Sequence, residues 1–230
     1  MQAHAHHGSL ILMHSGLDTY VSSNDDGSKG FLGDYLEEVF KAIHIEPHWQ
    51  SVPWEKQLHA LKRGAENVCA VSVFKTKERE AYAIFSEPIG VDKGFVLVGR
   101  PNSKKLKSHA RFIDVLNDNT LTFILQKNTV YNDYINHLLA DRELTYSAVS
   151  IRRMLHTIIN GKNDYVLLTE ISAAGHLRLS SLADKLEVYH HYTDIQDGAF
   201  YYLACSKNTN LQLLNSVNDE IKRRGIAEPK

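Results

Sequence analysis

Apolar positions recur along the chain with two alternating spacings, and the alternation predicts the fold class. "LILMHSG" (10–16) is an apolar run of strand length that leads into a polar, glycine-containing loop. Phe31, Leu32, Tyr35, Leu36, Val39, Phe40 and Ile43 then fall on one face at helical spacing. "EPHWQSV" (46–52) returns to a strand pattern. "PWEKQLHALKRG" (53–64) reads as a helix with Pro53 at its start and Gly64 at its end. "VCAVSVF" (68–74) is a third strand, Thr76 stands in the N-cap place of a short helix expected to run to Phe85, and "KGFVLVGR" (93–100) is a fourth strand.

The composition then shifts. "PNSKKLKSHAR" (101–111) is polar, basic and weakly periodic, as expected of a connection between domains. Beyond it the strands "TLTFILQ" (120–126), "LTYSAVS" (144–150) and "DYVLLTE" (164–170) alternate with helices expected over 128–142, 151–161 and 171–179. "EVYHHYT" (187–193) and a second polar break, "DIQDG" (194–198), precede a buried strand, "FYYLACS" (200–206). Leu211, Leu214, Val217 and Ile221 line a last helix. Two strand–helix clusters with polar joints predict an α/β protein of two lobes with parallel sheets.

Bulk properties narrow the function classes. The 230 residues carry 43% apolar and 23% charged positions and a net charge of −1, so no nucleic-acid partner is expected. No apolar run approaches the roughly 20 residues that span a membrane. Cys69 and Cys205 match no metal spacing and exclude a disulfide framework; one bridge between them is open, but two buried thiols are the expected state. Residues 1–9, "MQAHAHHGS", read as a tag or the remnant of a removed signal, and His4, His6 and His7 as part of it. No nucleophile elbow, HExxH or phosphate loop occurs, so no cofactor, metal or catalytic residue is expected.

The candidate chemistry lies where "SVFKTKEREAYAIFS" (72–86) places Lys75, Lys77 and Arg79 at a helix start, the end of a helix that already carries positive partial charge. Ligands of open α/β sheets bind at strand carboxyl ends near helix N-termini, so the helix-start N–H groups, the Thr76 hydroxyl and the Arg79 guanidinium converge on an anion. The alternative is a surface arginine paired with Glu78, Glu80 or another surface acid. "ILQKNTVYNDYI" (124–135) repeats the device, with Asn128 and Thr129 as capping side chains, ligand contacts or both.

"GFLGDYLEEVF", "VPWEKQLHALKRG", "FKTKEREAYAIFSEPI", "LQKNT", "IINGKNDYVLLTE" and "FYYLACSKNTN" together resemble the type 2 periplasmic solute-binding proteins, in the branch of the amino-acid-binding components of ABC transporters. The T-x-x-R-x-x-x-x-x-F-S pattern, Thr76, Arg79, Phe85 and Ser86, is the most specific element. The resemblance implies hinge-linked α/β lobes, 10–99 plus 198–230 and 100–197 with the hinge segments, and a ligand cleft between them. It implies a monomeric periplasmic protein that captures a small carboxylate-bearing ligand, an amino acid or related metabolite, for a membrane permease. On this pattern Arg79 grips the carboxylate, aided by Ser72 or Thr76 in the first lobe and Asn128 or Thr129 in the second. Trp54 packs on the ligand side chain and Tyr20 supplies a wall; the "FK" before Thr76 departs from the pattern, so that Phe74 or Lys75 is expected to narrow the pocket.

One departure bears on the ligand. Thr169 stands where amino-acid binders place the aspartate that meets the ammonium group, with Glu170 beside it. Glu170 is either that partner after a one-residue shift or a first-turn acid favoured by the helix dipole. Two other functions stay open: the ligand-sensing domain of a signalling receptor, and a dehydratase-like enzyme using Glu170 as an acid. Hinges are expected near 99–103 and 190–198.

Overall fold

The computed structural model describes residues 10–15, 21, 30–127, 129, 131–140, 142, 145–147, 150–178 and 182–227. In chain order the elements are β1 (Ile11–His14), α1 (Phe31–Ala42), β2 (His48–Ser51), α2 (Trp54–Lys62), β3 (Val68–Val73), α3 (Lys77–Glu80), β4 (Ala83–Phe85) and β5 (Gly90–Val91). There follow β6 (Phe95–Gly99), α4 (Lys104–Lys107), α5 (Phe112–Asn117), β7 (Phe123–Gln126), α6 (Asp133–Leu139) and β8 (Thr145–Ser147). The last are α7 (Ile151–Ile159), β9 (Tyr165–Thr169), α8 (Glu170–Arg178), β10 (Glu187–Tyr189), β11 (Phe200–Ser206) and α9 (Leu211–Arg224). The chain divides into two compact units, Met1–Val91 with Phe200–Lys230, and Asp92–Ala199.

In the first unit the strand order is β2-β1-β3-β11-β4, with β5 paired to β11. β1, β2 and β3 are parallel, while β11 runs antiparallel to β3, β4 and β5, so the sheet is mixed rather than parallel as expected. The α1 face delivers Leu32, Leu36, Val39 and Phe40 to the core, as its periodicity predicts. Leu61, Val68, Ala70, Val73 and Ala204 form a cluster against which Trp54 and Phe85 pack. Gly64 ends α2 at φ +68°, a left-handed position that glycine adopts without strain. The helix expected to run to Phe85 stops at Glu80, because Ala83–Phe85 pairs with β11 instead. The cysteines also depart from expectation: Cys69 and Cys205 face each other in the β3–β11 register and form a disulfide.

In the second unit the order is β10-β6-β9-β7-β8. β7, β8 and β9 are parallel, and β6 runs antiparallel to β9 and β10. Val96, Val98, Ile124, Met154, Leu155, Ile158, Val166 and Leu168 make its core. The unit begins at Asp92 rather than Arg100, because β6 hydrogen-bonds β9 and β10. Segment 101–111 is therefore not a connection between units. It is stitched to β10: the Asn102 N–H donates to the Glu187 carboxylate at 2.6 Å and the Tyr189 hydroxyl to the Arg100 carbonyl at 2.6 Å. Helix α5 was not legible in the local sequence. Its first N–H groups, at Phe112 and Ile113, are capped by Asp194, over 80 residues away.

Candidate functional site

The first unit builds a polar site at the carboxyl end of β3. β1 sits between β2 and β3; the chain leaves β1 toward β2 and leaves β3 toward β4 on the opposite side. The carboxyl ends of β1 and β3 thus flank a topological switch point, the place where open α/β sheets bind ligands. At that end β3 carries a bulge, in which Val71 and Ser72 stand opposite Leu203 alone. Ser72 takes φ +58°, uncommon for a side chain other than Asn, Asp or Gly, and its hydroxyl donates to the Val71 carbonyl at 2.8 Å.

The chain then turns into α3. The Thr76 hydroxyl accepts the N–H of Arg79 at 3.2 Å, as its N-cap position predicts. Arg79 is buried, with 5% of its surface exposed, so it is not the surface-paired arginine of the alternative reading. Its Nη1 donates to the Phe74 carbonyl at 2.8 Å and its guanidinium lies 5.2 Å from the Trp54 ring centre. The Tyr82 phenol oxygen is a further hydrogen-bond partner, one turn along and not singled out from the sequence. Burial lowers the Arg79 pKa, and Tyr82 and Glu78 act in the opposite direction. Arginine starts so high that it stays charged.

Phe74 is placed by stacking on Tyr201 of β11, ring centres 4.9 Å apart at 19°. Four expected residues, Trp54, Phe74, Thr76 and Arg79, thus meet in one cluster, with Ser72 two residues before Phe74, near the end of β3. Tyr20 lies outside the described residues. Near the end of β1, the Gln57 amide is buried and donates to the Val52 carbonyl at 2.7 Å and toward Ser15 Oγ at 3.3 Å. Burial lowers the pKa of the neighbouring His14, which favours the neutral ring.

In the second unit Asn128 lies outside the described residues. Thr129 does not cap a helix: its hydroxyl donates back to the Gln126 side chain at 3.3 Å, and Asn132 caps α6 by accepting the Ile135 N–H at 2.9 Å. The expected helix over 128–142 therefore starts at Asp133. Thr169 ends β9, and its hydroxyl accepts the Ser172 N–H at 3.3 Å. Glu170 is the first residue of α8, half-buried, and its N–H donates to the Gly94 carbonyl at 2.9 Å. Among the described residues no group of three or more His, Cys, Asp or Glu is placed to hold a metal.

Comparison with known proteins bears on the family and the fold. The model of the bacterial extracellular solute-binding proteins, family 3, matches residues 17–225. A probable histidine-binding protein of Campylobacter jejuni is 24% identical over 212 residues, covering 90% of this chain and 73% of that protein. The arginine-, lysine-, histidine-binding protein ArtJ from Geobacillus stearothermophilus superposes with a TM-score of 0.74 at 17% identity, over 94% of this chain and 89% of the other. A histidine kinase sensor domain with similarity to periplasmic binding proteins superposes at 0.76 and 14% identity, over 95% and 92%. At these identities the two structures are alike in fold alone.

Proposed function

The chain belongs to family 3 of the bacterial extracellular solute-binding proteins, and from that premise we propose that it is a monomeric periplasmic receptor that binds a free amino acid and delivers it to the permease of an ABC transporter. The observation that carries the reading is the buried Arg79 guanidinium at the switch point, its orientation set by Trp54, Phe74 and Tyr82. A guanidinium fixed in plane matches a carboxylate through two parallel hydrogen bonds, which a lysine does not provide. The Thr76 hydroxyl caps the same turn, Ser72 near the end of β3 is a further candidate hydroxyl, and the Trp54 ring adds an apolar surface. Glu170 is the candidate for the ligand's ammonium group.

The names of the relatives supply the first ligands to test, histidine and arginine. The disulfide supports an oxidising, extracytoplasmic location, since thiols are kept reduced in the cytosol. No helix of the described residues is long and apolar enough to cross a membrane. The test is to unfold the purified protein, identify released small molecules by mass spectrometry, and titrate histidine, arginine, lysine and the remaining amino acids by calorimetry. At least one amino acid should bind stoichiometrically and be recovered unchanged. Binding by none of them, or recovery of a converted product, overturns the reading.

A further inference from the structure

We propose that the Cys69–Cys205 disulfide is a register lock that positions the anion-binding turn, so that ligand affinity depends on the bridge beyond its effect on stability. The functional half of this inference rests on the amino-acid reading above; the structural half does not.

The argument starts from the strand pairing. Cys69 faces Cys205 and Ala70 faces Ala204, but the next described pair is Val73 with Tyr202. Three steps along β3 are matched by two along β11, so β3 holds one extra residue at Val71–Ser72. The extra residue is accommodated by Ser72 at φ +58°, a conformation in which a Cβ is disfavoured. A one-residue slip of the pair would remove the bulge and relax Ser72. Because side chains alternate faces along a strand, it would also turn the following β3 residues to the opposite face.

The bridge opposes that slip close to where it would occur. A single regular pair, Ala70 with Ala204, separates it from the bulge, and both cysteines are buried at 1% and 0% exposure. The consequence reaches the guanidinium in two contacts. Tyr201, four residues before Cys205 on β11, stacks on Phe74, and the Phe74 carbonyl accepts from Arg79 Nη1. Cys69 and Cys205 touch no ligand in this account; they are positioning residues acting through β3 and β11.

The test compares the full chain with its Cys69→Ala/Cys205→Ala variant, well below the unfolding temperature of either. Calorimetry with histidine and arginine measures affinity, and amide hydrogen exchange measures each strand ladder. Should the alanine pair not fold, Cys69→Val/Cys205→Ala restores part of the lost sulfur volume. The lock predicts an unchanged far-ultraviolet circular dichroism spectrum. Affinity should weaken roughly three- to thirtyfold, the scale of residues that act on a site without touching the ligand. Exchange should accelerate along the β3–β11 ladder while the β1–β2 and β1–β3 ladders keep their protection. Unchanged affinity, or acceleration spread evenly over the first unit, would mean the bridge only stabilises and would overturn the lock. The exchange comparison needs no ligand. A wild type that binds no amino acid therefore refutes the proposed function and leaves the lock to be decided by exchange alone.

Discussion

The two units repeat one arrangement and load it differently. Each has three parallel strands in which the first lies between the second and the third, β2-β1-β3 and β8-β7-β9, followed by an antiparallel neighbour, β11 or β6. In each, the third strand runs into a helix through a threonine whose hydroxyl accepts the N–H three residues on: Thr76 to Arg79, and Thr169 to Ser172. There the likeness ends. The first turn closes on a buried arginine, held by a tryptophan face and a backbone carbonyl. The second begins its helix with a half-buried glutamate. The same capping device therefore carries opposite charges at different positions: Arg79 three residues after Thr76, and Glu170 directly after Thr169. The antiparallel neighbours differ too. β11 is tied to β3 by a disulfide, whereas β6 and β9 meet through apolar pairs such as Val96 with Leu168.

The largest expected effect breaks this contrast at the disulfide. The bridge spans 136 residues of chain, and the chain-entropy model gives its loss about 5 kcal/mol of stability. Thermal unfolding of the cysteine-free variant should show the first unit melting earlier while the second, in Asp92–Ala199, keeps its transition. A uniform downward shift of a single transition would show the units to be one cooperative block.

A smaller effect belongs to the second unit and is read in pH. Burial, with Arg152 adding to it, lowers His176 of α8 from 6.5 to about 4. Between those values the folded chain binds fewer protons than the unfolded one. This contribution is therefore complete above 6.5 and is lost as pH falls toward 4, by no more than about 3 kcal/mol. His176→Gln should flatten the pH profile of the second unit's melting; an unchanged profile would show that the ring stays accessible to protons in the fold.

The smallest effects separate the two caps. Thr76→Ala and Thr169→Ala should each cost about 1 kcal/mol of stability, the usual value for an N-cap. Only Thr76→Ala frees the turn that orients the guanidinium, so it should weaken binding of a carboxylate ligand more than its partner substitution does. Equal losses of affinity by calorimetry would mean that the two turns contribute alike. Glu170→Gln should change stability by only about 0.3–1 kcal/mol as a first-turn acid, while weakening an amino acid more than a ligand lacking the ammonium group.

Much of this was legible in the chain because local rules suffice for it. The α1 stripe, the Gly64 stop and the Thr76 cap depend on neighbours within one or two turns, and the family pattern pointed to Arg79. What was not legible depends on partners far along the chain. Ala83–Phe85 is apolar enough for either a helix or a strand, and pairing with β11, some 120 residues later, decides for the strand. Sheet direction was misread for the same reason, because β11 and β6 return antiparallel to strands that belong to repeating units. The cysteine pair exists only through the β3–β11 register. At α6 the sequence points to Asn128 and Thr129 as the capping side chains, whereas Asn132, further along, holds the helix start.

The most direct test of the account is calorimetric titration of Arg79→Ala with whichever of histidine and arginine binds the wild type more tightly, with folding verified by circular dichroism. Removing a desolvated, charge-assisted contact to the ligand carboxylate should weaken binding by about 2–5 kcal/mol, and Arg79→Lys should not restore it, since an ammonium group lacks the planar fork. Wild-type affinity in the folded Arg79→Ala protein would contradict the claim that this buried guanidinium is the ligand's anchor.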